Sequence, residues 1–424
     1  MKKIDSTLKL ALEKIKPEEK DVLRIEKELK KFLEILKKRV EEFGLDVEIF
    51  IGGSFAKKTV MKKESYDVDI FIRFDKKYRE KELAGLTKKL LATFKDVKEV
   101  KGSRDYFQIK ISKKAILEII PVIKVKKPSE ARNITDLSYS HVKYINKKIK
   151  SHKILDQILL AKAFCYSNGT YGAESYIKGF SGYSLELLIY YYKSLEKFLK
   201  ALVNSKEKII IDLEKKYRNK KRILLDINGS KLESPIVLID PTFKQRNVIA
   251  ALSEETFEKF IEDAKLFLKE PSVKFFEPRK IDLKKIKAEA KKNRKEFFSL
   301  TVSTSKQEGD IAGSKLLKFY NHVGYEISKY FDIKDRGFKY DKKKSSKFFF
   351  VVSARKEIMK EGPFVKDKEN LLKFKKENKN TFVKRDRIYS KIKIDFSLGE
   401  FLKKWKRKNS KKIKEMYITK FNLN

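Results

Sequence analysis

Asp67 and Asp69 stand two residues apart in the run YDVDIFIRF, which ends at Phe74. Carboxylates are depleted in strands, yet the alternation around this pair predicts one. It puts Asp67 and Asp69 on one face and Val68, Ile70, Ile72 and Phe74 on the other. Two neighbouring carboxylates with no arginine between them call for a cation, and hard oxygen ligands suit Mg²⁺. Just upstream, Gly52-Gly53-Ser54 can offer backbone N–H groups and a hydroxyl to a phosphate, because glycine has no Cβ to obstruct the approach. A third acid, Glu118, lies inside the apolar run AILEIIPVIKV. An unpaired buried carboxylate is costly, and a metal shared with the aspartates gives it a partner. Three carboxylates around two Mg²⁺ ions ~3.5–4 Å apart serve in-line phosphoryl or nucleotidyl displacement. Each feature alone has a plainer account. Gly-Gly-Ser makes an ordinary turn, Asp-x-Asp is a surface pair or a calcium ligand, and Glu118 pairs with a core lysine or arginine.

The flanking elements must hold these groups in place. Residues 18–43 repeat Val22, Ile25, Leu29, Phe32, Leu33, Leu36 and Val40 at helix spacing and stop at Gly44. Strand signals follow in VEIFIGG, DVDIFIRF, YFQIKIS and AILEIIPVIKV, with a charged helix, KELAGLTKKLLATFKD, between the second and third. Mixed strands and helices over this length imply one compact α/β domain. From about 140 to 205 the period is helical. Ile154, Ile158, Leu159 and Phe164 form one stripe ended by Asn168-Gly169, and LELLIYYYKSLEKFLKAL forms a second helix after GFSGYS. Next come SPIVLIDPTFKQRNVIAALS and a helix carrying Phe257, Phe260, Ile261, Ala264 and Phe267, with Pro271 and Pro278 at a boundary. The remainder mixes FFSLTVS, the helix SKLLKFYNHVGYEISKYF, the strand SKFFFVVSA and a basic C-terminus.

At 424 residues the chain has room for about three domains. It carries 103 Lys+Arg against 59 Asp+Glu, a formal net charge of +44. Such an excess implies a polyanionic partner, nucleic acid first and an anionic membrane surface second. The competing account is that lysine simply solubilises ordinary amphipathic helices. The lysine runs are broken by apolar residues, so they read as solvated faces of folded elements. A single cysteine, Cys165, rules out an intramolecular disulfide framework and a cysteine zinc site. Three histidines (His141, His152, His322) leave little for histidine-based metal or nucleophile chemistry. The N-terminus starts like a signal peptide, but Lys9 and Glu13 interrupt its apolar stretch. No segment reaches the ~18 apolar residues of a membrane helix. A cytoplasmic, soluble protein is expected.

The ordered set of Gly-Ser, short loop, Asp-x-Asp on a strand and an acid on a later strand resembles the polymerase-β-like nucleotidyltransferase superfamily. Beyond it, LLAKAFCYSNGTYGAESYIKGFSGYSLELLIYYY, IVLIDPTFKQRNVIAALS, PSVKFFEP and GPFV resemble the archaeal-type (class I) CCA-adding enzymes, from roughly Leu29 to Val365. The resemblance implies that Asp67 and Asp69 are metal ligands for two Mg²⁺ ions, with Glu118 where the family usually has aspartate. Gly53 and Ser54 match the family's phosphate-contacting pair. Lys162 and Tyr171 match the residues that hold the triphosphate, with His141 sharing that work, and Tyr106 matches a tyrosine near the nucleotide sugar or primer end. Arg246 matches the arginine that reads the incoming base, and Lys57 and Asn247 complete the nucleotide-binding set.

Some of these assignments have physical support of their own. Arginine offers only donors, so it suits the ring-nitrogen acceptors of cytosine and adenine and not the N–H donors of uracil and guanine. A plainer role for Arg246 is a salt bridge to Asp240, and both can coexist. Lys162 falls on the polar side of the Ile158/Leu159 stripe, where an ordinary exposed lysine also fits. His141 sits in SYSHVKYI, which departs from the family's usual spacing and suits a helix cap as well.

The fold implied is α+β and multidomain. It has a polymerase-β-like head of mixed sheet with helices (1–140), a mainly helical neck (141–255), a body (256–300 and 385–424) and a tail (301–384), the last two α/β. The implied activity is template-independent transfer of CMP, CMP and AMP from CTP and ATP to the tRNA 3′ end. The tRNA acceptor end and top half are the implied partner, and basic-aromatic segments such as KDRGFKYDKKKSSKFFF and VKRDRIYSKIKI suit its phosphates. Rival readings are a poly(A) polymerase, an oligoadenylate synthase-like enzyme, or a catalytically degenerate RNA-binding protein. The sequence leaves the oligomeric state open.

Overall fold

The computed structural model describes residues 2–102, 104–279 and 281–423, the side chain of Lys2 excepted. Contacts divide the chain into two compact units, Met1–Arg279 and Lys280–Asn424.

The first unit opens with helices α1 (Lys2–Ile15) and α2 (Glu19–Glu42). A five-stranded sheet follows, built from β1 (Val47–Ile51), β2 (Tyr66–Phe74), β3 (Lys98–Val100), β4 (Tyr106–Ser112) and β5 (Ala115–Ile123). Its order is β1-β2-β5-β4-β3, with β2 and β5 parallel and the other neighbours antiparallel. The short helix α3 (Gly53–Ala56) and helix α4 (Glu80–Leu90) bracket β2. One face of β2, with Tyr66, Val68, Ile70, Ile72 and Phe74, is buried in a core shared with Ile25, Leu29, Phe32 and Leu36 of α2 and Leu83 and Leu90 of α4. Each such aliphatic or aromatic side chain contributes about 1.5–3 kcal/mol. This apolar face fixes strand register, because a slip of one residue would bury Asp67 and Asp69 in it.

Helices α5 (Ser138–Lys148), α6 (His152–Ser167), α7 (Gly182–Tyr192), α8 (Leu195–Val203), α9 (Lys220–Asp226) and α10 (Glu254–Lys269) make up the rest of the unit, with the parallel pair β6 (Ile209–Ile211) and β7 (Ile236–Leu238). Ser181, Ser194, Asn219 and Ser253 cap α7, α8, α9 and α10 by accepting from the first-turn backbone. An aromatic core joins α6, α8 and α10 through Phe164, Phe198, Phe260 and Phe267, with Phe180 of the segment before α7 packed among them. Helix α1, whose signal-peptide-like start hid an amphipathic pattern, lays Ile4, Leu8, Ala11 and Ile15 into this core.

The second unit holds α11 (Leu283–Lys292), β8 (Glu296–Thr304), α12 (Asp310–Ser328), β9 (Phe331–Tyr340), β10 (Ser345–Ala354), β11 (Glu357–Phe364), α13 (Lys368–Glu377), β12 (Thr381–Lys384), β13 (Arg387–Lys393), α14 (Leu398–Lys408), α15 (Ser410–Glu415) and β14 (Ile418–Leu423). They form a four-stranded sheet, β14-β8-β10-β9, and a three-stranded one, β11-β13-β12. Helices α12 and α14 pack Phe319, Val323, Leu402 and Trp405 against Phe348, Phe350 and Phe421 of the larger sheet. No helix among the described residues is long and apolar enough to cross a membrane.

Candidate active site

The register of the first sheet sets Asp69 of β2 opposite Glu118 of β5, and Glu118 opposite Gln108 of β4. The three side chains therefore form a row across one face, with Asp67 two residues along β2 on that same face and Tyr106 two residues along β4. Gln108 Nε2 donates to Glu118 Oε1 at 2.8 Å, and Lys63 Nζ lies 3.2 Å from Asp67 Oδ2. Burial raises the Asp69 pKa to about 6, with Asp67 adding to the rise and Lys57 opposing it. Burial and then the Asp69 charge lift Glu118 to about 7. Carboxyls crowded on one face resist joint ionisation, and a divalent cation relieves that repulsion. The donor set, hard oxygens only, fits Mg²⁺. As placed, no three His, Cys, Asp or Glu among the described residues converge into a closed ion cage. Glu118 instead leans on Gln108, and Asp67 on Lys63.

Gly53 has φ +60°, and a Cβ built on it would overlap the Asp69 carboxylate. Only glycine lets the loop press against that acid. The Gly52 N–H donates to the Asp69 carbonyl at 2.8 Å, which ties the loop to the strand. Ser54 follows, half-buried, and its carbonyl accepts from Thr59 N–H at 2.9 Å, closing the turn.

Behind this loop lies a buried ionic cluster. Lys162 of α6 is 2 % exposed and Glu186 of α7 is 0 % exposed. Lys162 Nζ donates to Glu186 Oε1 at 2.8 Å, to Thr59 Oγ1 at 2.8 Å and to the Thr59 carbonyl at 3.2 Å. Lys57 Nζ donates to Glu186 Oε2 at 2.6 Å, and Thr59 Oγ1 donates to Glu186 Oε1 at 2.8 Å. Burial alone would raise the Glu186 carboxyl, but Lys162 and then Lys57 hold it down to about 2. Burial lowers Lys162 to about 8, with Glu186 working against the fall. Tyr171, bridged to Phe180, is shielded enough that burial pushes its phenol well up, with Glu186 and Asp69 among the charges it feels.

A second cluster gathers around Asp240, which is fully buried. Its Oδ2 lies 2.7 Å from Arg246 Nη1 and 3.0 Å from His141 Nε2. Its Oδ1 accepts from Thr242 N–H at 2.8 Å, from Thr242 Oγ1 at 2.7 Å and from Tyr183 Oη at 3.4 Å. Burial would raise this carboxyl, but the His141 hydrogen bond and the Arg246 charge hold it well below the usual range. Burial depresses His141, whose ring stacks on Tyr183 at 4.2 Å. Arg246 keeps 23 % of its side chain exposed, so the guanidinium still presents donors outward. The expected salt bridge to Asp240 exists and leaves that outward face intact.

Lys57 links the two clusters and the acid face. Besides its bond to Glu186, its ammonium lies 5.8 Å from the Tyr183 ring centroid, and its charge reaches Asp69 and His141. His141 stands with Arg246 and Asp240, not with Lys162 and Tyr171. Lys162 is buried although it falls on the polar side of its helix stripe. The Asn247 side chain is committed to backbone: Oδ1 accepts from Leu238 and Ile249 N–H, and Nδ2 donates to the Lys231 and Ile236 carbonyls. Sequence reasoning missed Glu186, Thr59, Tyr183, Gln108 and the hub role of Asp240. Glu186 carried a usable signal, an isolated acid in the apolar run SLELLIYYY, of the kind that marked Glu118.

The profile of the nucleotidyltransferase domain matches residues 29–155, and that of the second domain of tRNA nucleotidyltransferase matches 156–277. The chain is 36% identical over 258 residues to the CCA-adding enzyme of Nanoarchaeum equitans, covering 60% of this chain and 63% of that protein. It is 28% identical over 411 residues to the CCA-adding enzyme of Methanocaldococcus jannaschii, covering 93% and 88%. The match thus spans less than two thirds of the first relative and nearly nine tenths of the second. Among solved structures, a cytoplasmic RNA terminal U-transferase superposes with a TM-score of 0.51 at 14% identity, over 65% of this chain and all of that one. The Cid1 poly(U) polymerase bound to MgATP gives 0.51 at 13% identity, over 64% and 98%. These likenesses concern the fold of the head and the helices after it, and proteins of this fold generally work with a divalent metal. The profiles, the archaeal relatives and the acid face beside its Gly-Ser loop point the same way: the chain carries a nucleotidyltransferase domain followed by a second domain like that of tRNA nucleotidyltransferases, and it is similar to the archaeal CCA-adding enzymes.

Proposed function

We propose that this protein completes the 3′ end of tRNA, adding CMP, CMP and AMP from CTP and ATP and releasing pyrophosphate at each step. The observation that carries the reading is the row of Asp69 and Glu118 in parallel register, with Asp67 on the same face and Gly53 held against Asp69. Asp67, Asp69 and Glu118 would hold two Mg²⁺ ions, which when bound favour the ionised tRNA 3′-hydroxyl and offset phosphate charge. The Gly53-Ser54 backbone lies open to the triphosphate, and Lys57 brings a positive charge beside it. Lys162 and Tyr171 back this site from the helices behind. Arg246 offers donors to the acceptor edges of cytosine and adenine. A uracil or guanine N–H facing it leaves donors unpaired, which costs about 1–3 kcal/mol. Asp240, with Thr242 and Tyr183, keeps the guanidinium aimed.

The net charge of +44 suits a tRNA partner gripped through phosphates and shape, since the A-form major groove is too narrow to read. Basic-aromatic stretches of the second unit, such as KDRGFKYDKKKSSKFFF, offer such a surface. The reading is tested by giving tRNA that lacks its CCA end labelled CTP alone, ATP alone, and both. Two cytidines from CTP alone, and adenosine only after them, support it. Runs of adenosine, or transfer indifferent to the missing CCA, contradict it.

A further inference from the structure

The Lys57–Glu186–Lys162 cluster has a feature that the assigned site roles leave unexplained. An ammonium group has three donors, and Lys162 directs all of its own inward, to Glu186 Oε1, Thr59 Oγ1 and the Thr59 carbonyl. Lys57 sends one hydrogen bond to the other oxygen of the same carboxylate, Oε2. One fully buried carboxylate is thus shared by two lysines, one from the loop after Gly53-Ser54 and one from α6. Two ammonium groups share that one carboxylate, and the Lys57 charge also acts on Asp69 of the acid face. Buried charge is costly unless well paired, and a polyanion arriving at Lys57 adds pairing that one shared carboxylate does not supply. Tyr171 encloses the same corner: a Cβ on Gly182 would sit 3.0 Å from its hydroxyl and 3.6 Å from Lys162 Cε.

We propose that Glu186 is a positioning residue for the nucleotide triphosphate. Its carboxylate, anchored by Lys162 and Thr59, holds the Lys57 ammonium where its remaining donors meet the phosphates. Glu186 does not touch the nucleotide; it acts through Lys57, and Lys162 keeps it ionised and in place. The inference rests on the functional reading above and adds a residue and a division of labour between the two lysines. Because the contact is to phosphate and not base, it serves CTP and ATP alike.

The test is steady-state kinetics on wild type, Glu186→Gln and Thr59→Val, with CTP on tRNA lacking CCA and ATP on tRNA ending in CC. Inorganic tripolyphosphate serves as competitor, and titration calorimetry of tripolyphosphate binding runs beside it. Glu186→Gln is expected to raise the KM for CTP and ATP by the same factor, roughly tenfold, the scale of one charge-assisted hydrogen bond. Tripolyphosphate binding should weaken in parallel, with kcat, tRNA affinity and the preference for CTP over UTP little changed. Thr59→Val, which removes the hydroxyl that joins Lys162 to Glu186, should move the same quantities less far. An unchanged or lowered KM in folded Glu186→Gln, or a change confined to one nucleotide, overturns the inference. If Glu186→Gln does not fold, Thr59→Val decides, and wild-type KM values there overturn it. If the wild type transfers no nucleotide, the functional reading fails, and calorimetry still reports whether Glu186 governs triphosphate binding.

Discussion

Asp240 Oδ2 lies 2.7 Å from Arg246 Nη1, and the same carboxylate group accepts from Thr242 through its other oxygen. A buried acid fastened on one side by a turn and on the other by a guanidinium fixes an arginine whose outer donors stay exposed. Asp240→Asn keeps the size but loses the charge. CTP over UTP discrimination should fall roughly tenfold, the worth of aiming one donor set. Single-turnover incorporation of each nucleotide measures it, and unchanged discrimination would show that Arg246 needs no such support.

Gly53 tests how closely the loop must approach the acid face. Gly53→Ala adds a methyl where the Asp69 carboxylate stands, at a φ of +60° that L-residues resist. Displacement of the acid by about 1 Å should cost roughly 10²-fold in kcat. Binding of tRNA, measured by filter retention, should stay at the wild-type level. Near-wild-type turnover would remove Gly53 from the catalytic account.

The raised carboxyls give a pH dependence with a definite sign. Asp69 at about 6 and Glu118 at about 7 sit above the usual range for unfolded carboxyls, about 4. Between about pH 4 and 7 the unfolded chain ionises first, so without divalent ions these two groups cost the native state stability as pH rises. A divalent ion binds the ionised form and competes with protons. The upward shift in Tm on adding Mg²⁺ should therefore grow from pH 5.5 to pH 8 and vanish in Asp69→Asn. A shift independent of pH, or one retained by that variant, would place the ion elsewhere.

Asn247 separates a folding role from a nucleotide role. Its buried amide satisfies Leu238 N–H, Ile249 N–H and the Lys231 carbonyl. Asn247→Ala leaves them unpaired and should lower unfolding stability by about 2 kcal/mol, read from urea denaturation. Wild-type stability with a raised nucleotide KM would instead give the amide a direct contact with substrate.

Sequence patterns revealed the sheet because its physics is local. The alternation in YDVDIFIRF and AILEIIPVIKV separates an apolar face from an acidic one, and β2 and β5 follow it through Asp69 and Glu118. The ionic cluster was not legible, because its members are distant in the chain. Glu186 meets Lys162 across 24 residues and Lys57 across 129. An isolated acid in an apolar helix announces that it needs a partner but not which one. Lys162 misled in the opposite way: helix periodicity put it on the polar side, and tertiary packing covered that side. In the second unit, β9 was hidden because FDIKDRGFKY is an edge strand whose charges face water, as edge strands commonly do. Strands β11 and β12 bury no side chain fully and β13 buries only Ile388 and Ser390, so the three lack the apolar run that betrays a core strand.

The central claim is that the face carrying Asp67, Asp69 and Glu118 performs CCA addition. Its most direct test is sequencing of tRNA 3′ ends after incubation with CTP, ATP and Mg²⁺, with wild type and Asp69→Asn run side by side. The account predicts ends completed to CCA and no further by the wild type. It predicts untouched ends with Asp69→Asn, which should still hold tRNA with wild-type affinity. Extension by Asp69→Asn at a comparable rate, or a wild-type product other than CCA, would contradict it.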